Sequence, residues 1–194
     1  RKLNADNSDS IHIIKDGEDW LGIYNLTPKT YIEMQLYKKL IFYKTFDDVV
    51  DNLPAHITHI EFGDDFNKPV NNLPPNMVFL EFGIKFDQSI DNLPITLKSL
   101  SLGALFCQSL NNLPPNLEKL YIHSIFSLDY INNLPNSIKK LYLGYNYGQL
   151  ISRLPDSLTD LIIWNDYPFL DKLKLLIHDE EIKYDKKIKL KIIE

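Results

Sequence analysis

The chain has 194 residues, enough for one domain of ordinary size or one short solenoid, and its 44% hydrophobic and 24% charged content supports a packed core. A net charge of -5 and a pI near 5.5 argue against a nucleic-acid protein, which carries a basic stripe. Cys107 is the sole cysteine, which rules out an internal disulfide and fits a reducing, intracellular and cytoplasmic setting; no apolar run approaches the roughly 20 residues of a bilayer span, so no membrane partner is expected.

The first residue is Arg1 rather than methionine, the expected mark of a leader, tag or domain removed upstream. Residues 1–35 read as an N-terminal cap. Ile11–Ile14 and Trp20–Ile23 are apolar runs on either side of Lys15-Asp16-Gly17-Glu18-Asp19, a hairpin signal with a loop longer than two residues. Residues 36–170 read as a repeat array of about seven coils. Its first coil carries Leu40, Phe42, Phe46, Val50 and Leu53. Leu-Pro then recurs at Leu53, Leu73, Leu93, Leu113, Leu134 and Leu154, at intervals of 20, 20, 20, 21 and 20 residues. A fixed period near twenty predicts a solenoid of stacked supersecondary units.

Leu93 to Asn112 represents the unit. Leu100-x-Leu102 places two apolar side chains on one face of a short strand, because side chains alternate along extended backbone. The same pair recurs as Ile60/Phe62, Leu80/Phe82, Leu120/Ile122, Leu141/Leu143 and Leu161/Ile163. Gly63, Gly83, Gly103 and Gly144 follow the strands, where a turn with positive φ is expected. Phe66, Phe86, Phe106, Phe126, Tyr147 and Tyr167 then form a column expected to stack in the interior. Proline in each Leu-Pro step lacks a ladder donor and belongs outside the sheet. Asn52, Asn72, Asn92, Asn112 and Asn133 precede five of these steps and are expected to satisfy buried amides in the turns. Residues 171–194 read as a C-terminal cap. Apolar spacing from Phe169 to His178 predicts a short helix entering it, and Ile188, Leu190 and Ile192 predict a half-buried strand. The fold class is therefore a leucine-rich-repeat-like solenoid with a short parallel sheet on one face, coil and turns on the convex side, and a cap at each end.

Phe66-Asn67-Lys68-Pro69-Val70 followed by Asn72-Leu73-Pro74 resembles the FNIP repeat, a relative of leucine-rich repeats; Phe86–Ile90 and Phe106–Leu110 are looser copies. The resemblance implies a protein of social amoebae or of large DNA viruses of amoebae, in the latter case acting in host cytoplasm. Many such proteins carry an F-box ahead of the repeats, which implies substrate-receptor service in a ubiquitin ligase. Residues 1–39 lack an F-box pattern, so ubiquitin-ligase subunits are expected partners only if an F-box precedes Arg1.

The outward strand positions would line the concave surface on which such proteins bind partners. The middle column reads Glu61, Glu81, Ser101, Tyr121, Tyr142 and Ile162; the one before it reads His59, Phe79, Ser99, Lys119, Lys140 and Asp160. Aromatic residues beside cations mark interface hot spots, so Lys119, Tyr121, His123, Lys140, Tyr142 and Trp164 are the candidate partner-binding residues. Cross-strand pairing of Tyr121 with Tyr142 is the plainer reading of the same pattern.

No metal, cofactor or catalytic constellation is expected. His12, His56, His59, His123 and His178 are scattered, and Cys107 occupies the slot of Asn67 and Asp87, where a small buried residue belongs. Asp47-Asp48 and Asp64-Asp65 read as solvated turns. The expectation is a non-enzymatic scaffold that binds a protein partner through its strand face. A structural assembly protein and a lectin-like binder, with Tyr121, Tyr142 and Trp164 stacking on sugar rings, are the alternatives.

Overall fold

The computed structural model describes residues 9–123, 131–145 and 147–193. Ten strands form one sheet in chain order. β1 (Ser10–Lys15) and β2 (Glu18–Ile23) make an antiparallel hairpin. Its turn is the two residues Asp16 and Gly17, at φ 53° and 76°, where the sequence reading expected a longer loop. Two successive positive φ angles suit the twist of the strands, so Lys15, Glu18 and Asp19 stay in the ladder despite their polarity.

β2 then pairs parallel with β3 (Lys39–Phe42), and the parallel series continues through β4 (His59–Glu61), β5 (Phe79–Glu81), β6 (Ser99–Leu102), β7 (Lys119–Ile122), β8 (Lys140–Leu143) and β9 (Asp160–Trp164). The seven strands β3–β9 mark seven coils of a solenoid. Every expected inward pair is buried, so the alternation in the sequence sets the strand register. The carbonyl of each proline in the Leu-Pro steps accepts the amide of the residue three positions on, at 3.0–3.3 Å, which makes the turn back into the next strand.

The interior is an aromatic stack. Phe66, Phe86 and Phe106 have no exposed surface, and their rings follow one another at 6.0 and 6.2 Å. Phe42, Phe62 and Phe82 form a second file at 5.0 and 5.5 Å, and Phe82 lies 3.6 Å from Phe86, centre to centre. Tyr147 and Tyr167 continue the first file at 6.0 Å; Phe126 lies outside the described residues. Two rings per coil in the first three coils, and one ring beside an aliphatic side chain in the coils of Phe106, Tyr147 and Tyr167, occupy the space that a helix fills in longer repeats.

Three local expectations are corrected. Gly63, Gly83, Gly103 and Gly144 do not turn with positive φ. Successive coils touch there: a Cβ on Gly83 would sit 2.3 Å from the Gly63 carbonyl oxygen, and one on Gly103 would sit 1.9 Å from that of Gly83. Among these coils the left-handed position is Asn52, at φ 66°. The asparagines before Leu-Pro are exposed, and three of them bond to side chains of the preceding coil: Asn72 Nδ2 to Asp51 Oδ1 (3.0 Å), Asn92 Nδ2 to Asn71 Oδ1 (3.3 Å) and Asn112 Nδ2 to Asp91 Oδ1 (2.9 Å). Cys107 is exposed rather than buried, and its thiol donates to Asp87 Oδ2 at 3.2 Å. That bond and burial both hold the thiol pKa above its usual value.

The slot that Cys107 shares is an inter-coil ladder. Asp47 accepts the amide of Asn67, Asn67 that of Asp87, and Asp87 that of Cys107, at 2.8, 3.0 and 2.9 Å. A short side chain with an oxygen serves at each accepting rung, and Cys107 ends the series as a donor. The paired acids are tied between coils by Lys68–Asp47 (3.0 Å), Lys44–Asp64 (3.3 Å) and Lys85–Asp65 (2.7 Å).

Both ends are covered by more structure than the repeat pattern announces. α1 (Pro28–Glu33) starts from Thr27, whose hydroxyl accepts the Thr30 amide while Thr30 Oγ1 accepts the Thr27 amide. A 3₁₀ turn at Met34–Leu36 follows and buries Met34 fully. At the other end α2 (Leu170–Tyr184) buries Leu173 and Ile177, then β10 (Lys189–Ile193) pairs parallel with β9. The helix runs six residues past His178 because capping needs only its first turns to be apolar; Ile182 and Tyr184 are exposed.

Candidate functional site

Alternation along β4–β9 sends one residue of every pair out of the core, so the sheet presents columns of aligned side chains. The middle column follows the register Ile41, Glu61, Glu81, Ser101, Tyr121, Tyr142, Ile162 and Lys191. Size decides its relief. Ser99 and Ser101 are the small members of two adjacent columns, and a hollow of about 500 Å³ opens above them. Its walls include Phe79 and Glu81 on one side and Lys119, Tyr121 and His123 on the other. Ser101 is only 7% exposed although it points away from the core.

The hollow is flanked by two aromatic groups. On the C-terminal side, His123 packs on Tyr142 at 4.7 Å, Tyr142 lies 6.4 Å from Tyr121, and Trp164 Nε1 donates to Tyr142 Oη at 3.1 Å. Lys140 Nζ stands 5.6 Å over the Tyr121 ring. The six candidate residues are thus neighbours on one surface, and three of them, Lys119, Tyr121 and His123, line the hollow itself. On the N-terminal side Trp20, His59 and Phe79 follow one another at 6.0 and 5.8 Å, with Lys15 and Lys39 over the Trp20 ring at 5.2 and 5.4 Å. A second hollow of about 370 Å³ lies there and shares His59, Phe79 and Glu81 with the first.

The charge pattern is polar along the solenoid. Glu61 is paired with Lys15, while Glu81 has no ion pair among the described residues. Burial in the hollow and the neighbouring Glu61 charge raise the Glu81 carboxyl pKa, with Lys15 opposing. Burial and the Lys39 charge lower the pKa of His59, against Glu18; burial alone lowers that of His123. The lowered pKa favours the uncharged ring in both, and each presents a flat ring to the hollow. Beyond Ser101 the cations Lys119 and Lys140 dominate, and Lys98 is held by Glu118 at 3.3 Å.

Phe79, Glu81, Ser99 and Ser101 also line the hollow and lie outside the six residues that the aromatic-and-cation pattern singles out. The available signal was the pair of serines in successive outward slots, since small residues between large ones leave a recess. Among the described residues no group of three or more potential metal ligands converges, and no helix is long and apolar enough to cross a membrane.

Stacked twenty-residue coils, one parallel strand per coil and a continuous strand face define a leucine-rich-repeat-like solenoid. The FNIP Repeat family matches residues 49–85 and 130–166. The fold is also similar to the crystal structure of CroV588, described as a novel circular LRR protein, at 28% identity and a TM-score of 0.62. That similarity covers 80% of this chain, which spans 28% of the length of the larger protein. No curated protein matches the chain.

Proposed function

We propose that this solenoid is a protein-interaction scaffold that recognises a partner protein across its strand face. Repeat solenoids of this kind serve generally as interaction scaffolds, and FNIP and leucine-rich repeats are typically non-enzymatic. The observation that carries the reading is the recess above Ser99 and Ser101, continuous with the Tyr121–Tyr142–Trp164 group. Rigid aromatic side chains beside a surface recess supply large contact area at small entropic cost, which is the composition of an interface hot spot. The lone cysteine supports an intracellular setting for that partner.

The test is affinity capture with the chain and with a triple variant, Tyr121→Ala, Tyr142→Ala and Trp164→Ala, both checked by circular dichroism. Each captured protein is then purified and its binding measured directly. A purified partner that binds the chain at least about tenfold more tightly than the folded variant supports recognition on this face, since one hot-spot residue contributes 2 kcal/mol or more. Equal binding by both overturns it and moves recognition to the turns or caps. Recovery of the chain alone favours self-association. Recovery of ubiquitin-ligase subunits is expected only if an F-box lies ahead of Arg1.

A further inference from the structure

We propose that the hollow over Ser101 receives an arginine side chain from the partner protein, with its guanidinium directed at Glu81. The inference rests on the strand-face reading and names the chemistry that this face selects. Three independent observations converge on it. Ser101 is 7% exposed and its hydroxyl makes no hydrogen bond to protein among the described residues, so at the floor of the open recess it is free to pair with a ligand group. Glu81, one column neighbour away, lacks an ion pair, and the charge of Glu61 beside it is only partly offset by Lys15. Glu81 is exposed at the rim of the hollow, and partial desolvation and the Glu61 charge both raise its carboxyl pKa, so an incoming cation offsets the repulsion between the two carboxylates.

The third observation is shape. Glu81 on β5 and Tyr121 on β7 face each other across Ser101 in one column, and strands two apart are separated by roughly 9.6 Å, room for one flat group between the carboxylate and the ring. A guanidinium is flat, stacks on aromatic faces and offers five donors, enough to serve a carboxylate and a hydroxyl together. A lysine ammonium matches the charge but has no face to stack and is more strongly hydrated. An anionic group over Ser101 meets the like charge of Glu81, its neighbour in the column. Lys119 and Lys140 close the other side of the face to a cation, so the guanidinium turns toward β4 and β5.

The isotope-labelled full chain is titrated with N-acetyl-arginine amide, and in parallel with the lysine and glutamate analogues, while backbone amide resonances are followed by NMR. The expected result is saturable shifts centred on Glu81, Ser99, Ser101 and Tyr121 with the arginine analogue, weaker shifts with lysine and none there with glutamate. Glu81→Gln should raise the dissociation constant by about fivefold, the upper range for a pair near the surface. Ser101→Leu, which fills the recess without touching the core, should abolish the shifts. Arginine shifts that fall elsewhere, that are absent, or that survive Glu81→Gln unchanged overturn the proposal, as does tighter binding of the glutamate analogue. If that happens while purified partners still depend on Tyr121, Tyr142 and Trp164, the interaction reading stands and only its chemistry is wrong.

Discussion

Replacing Gly103 by alanine tests how tightly the coils are stacked. The added methyl would lie 1.9 Å from the Gly83 carbonyl oxygen and 2.6 Å from its carbon, where ordinary contact begins at 3.4 Å. Both obstructing atoms are backbone, so no rotamer change relieves the clash and the coils must part by more than an ångström. Phe82 N–H to Ser101 O and Leu105 N–H to Ile84 O, both 3.0 Å, bracket the point of contact and would be stretched beyond useful length. Two weakened bonds at about 1 kcal/mol each, with about 1–3 kcal/mol of overpacking strain, give a loss of roughly 3–5 kcal/mol. For a chain of this length that lowers the melting midpoint by roughly 10 °C. Gly17→Ala is the control: its φ is 76° but nothing lies within 4 Å, so only backbone strain of about 1 kcal/mol is expected. Urea and thermal unfolding followed by circular dichroism measure both. If Gly103→Ala proves no more harmful than Gly17→Ala, the coils are not locked in contact and the argument from close approach fails.

Phe86→Ala should cost about 3–5 kcal/mol and Phe86→Leu clearly less, because the fully buried ring is packed between Phe66, Phe82 and Phe106; urea titration giving the reverse order would exclude a stacked interior. Acid should destabilise the chain through the inter-coil ladder. The Asn67 amide and Lys68 lower the Asp47 pKa; at Asp87 burial raises it, but hydrogen bonds from the Cys107 amide, Gln108 and the thiol outweigh burial. Folded pKa values below the unfolded value of about 3.9 mean that this stabilisation is complete above that pH and is lost as pH falls through the folded values. Urea midpoints at pH 5, 4 and 3 should therefore fall, and fall less steeply in Asp87→Asn; identical slopes would show that the ladder carboxylate is not linked to folding.

Much of the solenoid is legible in the chain because its physics is local and repeated. Strand residues two apart share a face wherever they occur, so Leu100 and Leu102 announce their burial and every copy strengthens the reading. The caps were harder, since each occurs once. α1 is six residues long and its capping threonines look like loop residues, while the second half of α2 buries little and so carries no apolar period. For the site, the outward columns and the grouping of Lys119, Tyr121, His123, Lys140, Tyr142 and Trp164 followed from register alone. The centre of the recess did not, because a hollow is set by differences in side-chain volume across neighbouring strands.

The period, the core residues and the side of the sheet on which each residue falls are written in the chain. Those depend on alternation and on apolar spacing, which any window of the chain displays. Why the glycines are there, what the asparagines bond to, that Cys107 is exposed and where the face is hollow emerge only once the coils are stacked. Each of those is a relation between residues some twenty positions apart, fixed by the stacking distance of the coils rather than by the preferences of any one of them.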